Sequence, residues 1–499
     1  MALPIVDQIA TVARAFPGRP AIIDRDRVLT FGQLDAELCA CSDLLTNLGA
    51  GPGQAVGLLL PNSALSVAAL LGTARTGGAA ILFPPTLPAA ELRHYCRDVG
   101  LHIVLSASAH RGLVEAAGGR AIARGPEDLE AFGFDAPRRM EDGRPGEARR
   151  QEVRRGDFIG QLTSGVDSPP KIAIRTHAAV WSEIQDFADE IGLEADDATI
   201  VLPSIAHSYG LIGGTLAPLC RGGRVSLPQD FRPEEILGLI RHTRPSILYA
   251  VPFMYRAFAA VPATGAADVE SLRLCFSAGG PLPRDVDDEF ARRFGRRICQ
   301  NYGTTEAGVI CLRLAWTPEL AGSVGRPLRR RVVTIVGADR RPLAPGTVGD
   351  VIVQSPALAR GYLDVPPRPG AAPEAPLEDG SLVTGDRGWT SEDGSLFLTG
   401  RKSQTIHVDG MAVDPAEIEG VIAVLPGVRE VAVVGVPHAE RGEVAKAVVA
   451  AEGLTAADVV QHCRRCMEDI KVPEIVEFRP ALPRTPAGKI LRRVLIDPA

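Results

Sequence analysis

Short apolar runs alternate with helix-patterned stretches along most of this chain. Val56–Leu60 reads as a strand and Ala64–Ala74 as a helix, then Ala79–Phe83 as a strand, Ala89–Val99 as a helix and Leu101–Leu105 as a strand. After a break the rhythm resumes with a strand at Phe158–Leu162 and a helix at His177–Ile191. Strands are expected again at Thr199–Leu202, Arg224–Leu227, Ile247–Ala250 and Leu272–Ser277. Buried strands interleaved with helices imply a doubly wound α/β architecture. The break itself, about Phe134 to Arg155, is rich in Arg, Glu, Pro and Gly without an apolar period and reads as an exposed connection.

With 499 residues, 45% of them hydrophobic, the chain is too long for one simple core and long enough for two or three domains. From Ser323 to Phe397 the pattern turns β-rich and is punctuated by Gly and Pro, as in a small barrel or meander. Beyond Gly400 a helix near Pro415–Val424, strands at Val431–Val436 and Glu443–Ala450, and a helix at Ala456–Met467 form a compact α+β unit.

Several function classes are disfavoured at once. Lys plus Arg number 54 against 60 Asp plus Glu, a formal net charge of −6, whereas phosphate neutralisation along a nucleic acid needs a basic excess. No apolar run approaches the roughly 18 residues of a membrane span, and the N-terminus lacks a signal-peptide pattern. A cytoplasmic protein is expected, with nine scattered cysteines and no disulfide framework. Cys463 and Cys466 form an isolated C-x-x-C that reads as two helix-surface thiols rather than a zinc site.

Four stretches carry chemistry. T-S-G-V-D-S-P-P-K, from Thr163 to Lys171, follows a strand; small residues let the backbone turn its N–H groups toward phosphate, and Lys171 adds positive charge. An ordinary Ser-, Gly- and Pro-rich turn explains it equally well in isolation. N-Y-G-T-T-E, from Asn301 to Glu306, is placed after a strand at Arg297–Gln300. It offers a ring to cover adenine, two hydroxyls for phosphate and one carboxylate for Mg²⁺. T-G-D, from Thr384 to Asp386, precedes G-R-K-S-Q-T-I-H-V-D-G, from Gly400 to Gly410. Asp386 can accept from two vicinal ribose hydroxyls, and Arg401 offers a planar fork of donors. Near the end, P-R-T-P-A-G-K-I, from Pro483 to Ile490, places Lys489 after a glycine bend.

In this order and spacing the four stretches resemble the adenylate-forming superfamily of acyl- and aryl-CoA synthetases, carrier-loading adenylation domains and luciferases. The resemblance spans nearly the whole chain. It implies an N-terminal adenylation domain over 1–400, made of doubly wound α/β layers with a small β-barrel-like region. It further implies a hinge over 401–404 centred on Ser403 and a small mobile α+β C-terminal domain over 405–499. Thr163, Ser164, Gly165 and Lys171 match the phosphate loop; Ser277, Ala278, Gly279 and Gly280 match the adenine shelf together with Tyr302. Asn301, Gly303, Thr304, Thr305 and Glu306 fall in the nucleotide motif, with Glu306 and Thr163 as the metal-side groups. Asp386 and Arg401 match the ribose contacts, and Lys489 the lysine that bridges carboxylate and α-phosphate during adenylation. His207, Ser208, Tyr209 and Gly210 match the expected acyl pocket, and the resemblance counts His207 with Lys489 and Glu306 among the catalytic residues. His407 and Gly410 belong to the thiol step.

Two departures stand out. The family loop reads T-S-G-T-T-G-x-P-K-G, and here Val166, Asp167 and Ser168 replace Thr-Thr-Gly and Ile172 replaces the last Gly. A carboxylate about 5 Å from a phosphate charge costs on the order of 3 kcal/mol at an effective dielectric near 20. His407 stands where many CoA-forming members carry Lys. The resemblance implies use of ATP, Mg²⁺ and CoA by a monomer or homodimer. A free-standing loader of a carrier protein's phosphopantetheine and a degenerate nucleotide-binding protein remain as alternatives. No carboxylate lies between Leu202 and Leu219 to pair with an ammonium, so the expected acid is an uncharged aryl or medium acyl acid rather than an α-amino acid.

Overall fold

The computed structural model describes residues 4–25, 27–134, 153–163, 171–262, 264–363, 377–378, 380–404, 406–409, 411–438, 441–484 and 489–496. Two large sheets form the N-terminal part. The first has eight strands, in the order Gly361–Leu363, Ile172–Thr176, Asp157–Leu162, Ala79–Phe83, Ala55–Leu59, Ile103–Ala107, Leu129–Gly133 and Arg120–Arg124. Its centre is parallel, and every residue of Ala79–Phe83 and Asp157–Leu162 is buried. Helices Ala64–Arg75 and Ala89–Val99 connect these strands much as their patterning predicts. Ser63 caps the first of them by accepting from the Ser66 N–H.

The second sheet has fourteen strands. Ala198–Val201, Arg224–Ser226, Ile247–Ala250, Leu274–Ser277 and Cys299–Thr304 make its parallel part. The β-rich stretch after Ser323 continues it as antiparallel strands, from Ser323–Pro327 to Leu396–Arg401. One difference from the sequence reading lies in N-Y-G-T-T-E. The strand begins at Cys299 and runs through Asn301–Thr304, paired antiparallel with Gly308–Arg313, so the motif is largely strand and its turn comes at Thr305–Ala307.

Helix His177–Glu190, capped by Thr176, carries charge into the core. Glu183 pairs with the fully buried Arg175 at 2.5 Å and accepts from the Val309 N–H at 2.9 Å, while Asp186 pairs with the buried Arg331. Buried charges persist only when paired in this way. The backbone passes so close to Glu183 at Gly308 that a Cβ there would lie 2.0 Å from Oε2, at φ +64, so only glycine fits two residues beyond Glu306.

The strands from Ile406 to Phe478 form a separate five-stranded sheet with its own core, including Ile406, Val408, Ile418, Val433 and Val449. Helices Pro415–Ala423 and Ala456–Cys466 accompany it. Cys463 belongs to that core and is fully buried, while Cys466 is exposed. The pair is therefore not two surface thiols: Cys463 takes the apolar face of an amphipathic helix whose polar face carries Arg464 and Arg465. Among the described residues no helix is long and apolar enough to cross a membrane.

Candidate active site

The site residues gather where the parallel strands of the fourteen-stranded sheet end, the edge at which open α/β sheets bind ligands. Ser277 ends one strand and is followed by the buried Ala278 and the exposed Gly279 and Gly280. The neighbouring strand, registered Ser277 to Gln300, brings Asn301 and Tyr302 alongside this shelf. Tyr302 is buried, and its hydroxyl donates to Asp386 Oδ2 at 2.6 Å. Arg401 lies directly across the strand pair from Asp386 and donates from Nε to Oδ1 at 2.9 Å. Burial, and then the Asp386 charge, push the Tyr302 phenol well above its ordinary value, so it stays a donor. Asp386 is thus held on both oxygens, each with a lone pair left for a further hydroxyl donor.

The described ends of the phosphate loop close a hairpin. The Thr163 N–H donates to the Lys171 carbonyl at 2.8 Å, and the Lys171 N–H donates to Thr163 Oγ1 at 2.9 Å. Ser164, Gly165, Val166, Asp167 and Ser168 lie outside the described residues, as does Gly410. Thr304 Oγ1 accepts from the Ala307 N–H at 3.1 Å and tightens the motif turn, on which Thr305 and Glu306 are half-buried. Glu306 Oε1 accepts from the Tyr362 hydroxyl at 2.7 Å. Among the described residues no three His, Cys, Asp or Glu groups converge as a metal cage. A single half-buried carboxylate fits a hard divalent cation that takes its other ligands from phosphate and water.

The acyl stretch leaves Pro203–Ser204 and forms a π-helix over Tyr209–Leu216, a rare geometry that accompanies function. Ser208 donates to Gln161 Oε1 at 2.5 Å, and Gln161 Nε2 donates to the Ala206 carbonyl at 3.0 Å. Tyr209 directs its hydroxyl at the Ala250 and Phe276 carbonyls, at 3.0 and 2.8 Å, so its ring forms a fixed wall. Gly210 is buried at the start of the helix. Behind the stretch Leu58, Leu60, Leu82 and Leu211 line a cavity of about 20 Å³. That holds one water-sized body, so it is a packing void rather than a tunnel for an acyl chain.

His207 ties the two parts of the chain together. Its Nε2 is buried without a hydrogen-bond partner among the described residues. Its pKa is lowered to about 4, first by burial and then by the positive charge of Lys489. A C-terminal residue 282 positions away thus acts directly on the acyl stretch. The imidazole is therefore neutral at pH 7. Ser403 sits in the single turn Lys402–Gln404 that joins the large sheet to strand Ile406–Val408, which contains His407. At the start of that turn Lys402 anchors to Asp350 at 2.7 Å.

Two family models match this architecture, an AMP-binding enzyme over residues 9–363 and an AMP-binding enzyme C-terminal domain over 417–489. The chain belongs to the AMP-binding enzymes, the adenylate-forming superfamily. A feruloyl-CoA synthase from Amycolatopsis sp is 31% identical over 96% of both chains. A fatty acid–[acyl-carrier-protein] ligase, ScoC of Streptomyces coeruleorubidus, is 30% identical over 96% of this chain and 93% of its own. The ATP-bound MatB of Rhodopseudomonas palustris superposes with a TM-score of 0.84 at 25% identity over 98% of each chain. As a member of this superfamily the chain is an ATP-dependent, AMP-forming acid–thiol ligase. Tyr362 and Gln161 escaped the sequence reading although both bond to site residues; an aromatic directly after the glycine of A-R-G-Y was the available signal for the first.

Proposed function

We propose that the chain activates an uncharged aryl or medium-length acyl acid as its adenylate and passes the acyl group to CoA, with both steps in the site described above. The observation that carries this is the hydrogen-bonded Tyr302–Asp386–Arg401 cluster beside the turn that bears Glu306, with the charge of Lys489 felt at His207 of the acyl stretch. A carboxylate is a poor acyl donor because oxide leaves badly. Its attack on the α-phosphorus of ATP gives a mixed anhydride and expels pyrophosphate. Two anions must be aligned and their repulsion neutralised. Lys489 supplies positive charge where the two meet, Asp386 and Arg401 hold the ribose, and Tyr302 with Ala278–Gly280 covers the adenine. Glu306 would hold Mg²⁺, which would supply positive charge against the pyrophosphate, and Thr163 and Lys171 close the loop over the same phosphates.

The thiol then attacks the acyl carbon and AMP leaves. The C-terminal domain turns about Ser403, withdrawing Lys489 and presenting the segment of His407 and Gly410 to the thiol donor. The apolar surroundings and absence of a carboxylate across Leu202–Leu219 support an uncharged acid, and the feruloyl-CoA synthase relative supports an aryl one. The carrier-protein ligase among the relatives supports a second reading, transfer to a phosphopantetheine arm. ATP–pyrophosphate exchange with a panel of cinnamic, benzoic and medium-chain acids tests the first step. Offering CoA against a phosphopantetheinylated carrier protein then separates the acceptors. No exchange with any acid of the panel would contradict the proposal.

A further inference from the structure

We propose that Tyr362 is a positioning residue that joins the exit of the phosphate loop to Glu306 and keeps Lys171 and Glu306 from neutralising one another. The inference rests on the reading of the site as one that binds ATP. Tyr362 lies on the short strand Gly361–Leu363 at the edge of the eight-stranded sheet, opposite Ala173 and therefore close to Lys171. Its hydroxyl donates to Glu306 Oε1 at 2.7 Å, and Lys171 Nζ sits 5.3 Å from the centre of its ring. Glu306 belongs to the turn after a strand of the other large sheet. One side chain thus contacts the charged groups of both sheets that face the phosphates in the proposed function.

The backbone that carries Tyr362 is held from several directions. The Ala357 carbonyl accepts from Nε and Nη2 of the buried Arg175, at 3.1 and 2.9 Å. The Ala359 N–H donates to the Glu306 carbonyl at 2.6 Å, and the Arg360 N–H to the Ile174 carbonyl at 2.8 Å. The Arg360 guanidinium pairs with the buried Asp157 at 2.9 and 2.7 Å. Gly361, which opens the strand, has φ +148, a backbone conformation that an L side chain rarely adopts. The phenol is consequently fixed with respect to Glu306 and to the hairpin.

The chemistry follows from what a phenol is. As a neutral donor it orients the carboxylate and leaves its negative charge in place. Its ring face is an electron-rich surface on which an ammonium rests without losing its charge. Among the described residues Lys171 and Glu306 form no direct ion pair, and both touch Tyr362 instead. A direct Lys171–Glu306 pair would cancel the two charges that the β- and γ-phosphates and their cation require. Tyr362 keeps them apart and oriented, a role that concerns ATP and not AMP.

The test uses the full chain with Tyr362→Phe and Tyr362→Leu. Affinities for ATP and for AMP are measured by titration calorimetry across a range of Mg²⁺ concentrations, alongside melting temperature. Tyr362→Phe is expected to weaken ATP binding about tenfold at low Mg²⁺, as loss of one charge-assisted hydrogen bond would. Raising Mg²⁺ should recover part of the loss, and AMP affinity and melting temperature should stay near wild type. Tyr362→Leu, which also removes the ring face, should lose more ATP affinity than Tyr362→Phe. Unchanged ATP affinity in Tyr362→Phe overturns the proposal, as does an equal loss of ATP and AMP accompanied by a lower melting temperature. Wild type that binds no ATP would instead overturn the parent reading, so the two failures are told apart.

Discussion

Replacing Asp386 by Ala removes a carboxylate that does two things, and the structure separates their sizes. Within the protein it accepts from the buried Tyr302 hydroxyl at 2.6 Å and from Arg401 at 2.9 Å. Loss of the first leaves a buried phenol without its charged acceptor, at about 1–3 kcal/mol. Loss of the second costs less, about 0–1 kcal/mol, because the Arg401 side chain is 33% exposed and turns to water. In the proposed function the same carboxylate also holds the ribose, and its bonds there together contribute about 1.5–3 kcal/mol net of the water that replaces them. ATP and AMP affinities should therefore both fall by about 10- to 100-fold, and by the same factor, because the ribose is common to both. Calorimetric titration with each nucleotide checks this, with Asp386→Asn as the milder variant because its one amide oxygen serves either Tyr302 or Arg401. Melting temperature should fall by a few degrees in Asp386→Ala. Unchanged AMP affinity, or a loss confined to ATP, would refute the ribose assignment.

Three further outcomes follow from the core and the phosphate side. His177 is buried against Phe158, and burial lowers its pKa from 6.5 to about 4, so the unfolded state binds the extra proton first. Its stability contribution is complete above pH 6.5 and is lost as pH falls toward about 4, by roughly 3 kcal/mol at the limit. His177→Phe should flatten the decline in melting temperature between those values, and an unchanged slope would count against this origin. Gly308→Ala should fail to accumulate as folded protein or melt far lower, since its Cβ would fall 2.0 Å from Glu183 Oε2; a normal melting curve would contradict the packing. Tyr362→Phe should separate ATP from AMP affinity by about tenfold, as set out above.

The architecture was legible in the sequence where burial was total or confined to one clear face. Ala79–Phe83 is buried at every residue and Ala89–Val99 has one apolar stripe, and both have the expected limits. Legibility failed where pairing or packing, rather than the local pattern, sets the structure. Asn301–Thr304 is strand because Gly308–Arg313 pairs with it, although Asn and Gly are poor strand formers. Tyr209–Leu216 carries three glycines and no helical period, so nothing local announces a π-helix. Tyr362 meets Glu306 across 56 residues, and no spacing rule connects them. Cys463 was read as surface because its neighbours Arg464 and Arg465 are polar, whereas a helix turns them to the opposite face. The ordered set of motifs carried the family, and the structure brought Asp386, Arg401 and Tyr302 into one hydrogen-bonded cluster and placed Lys489 where its charge is felt at His207.

The central claim is that Lys489 serves the first step and not the second. The decisive measurement is Lys489→Ala assayed in each half-reaction separately. Adenylate formation is followed by pyrophosphate exchange with whichever acid wild type accepts, and thiol transfer is followed from the corresponding preformed acyl-adenylate and CoA. Loss of a charge that acts mainly on the transition state should lower the first rate by about 100-fold or more. The second should remain within a few-fold of wild type, because in the proposed function the domain rotation withdraws Lys489 before the thiol attacks. Equal loss in both half-reactions, or no loss in the first, would contradict the account.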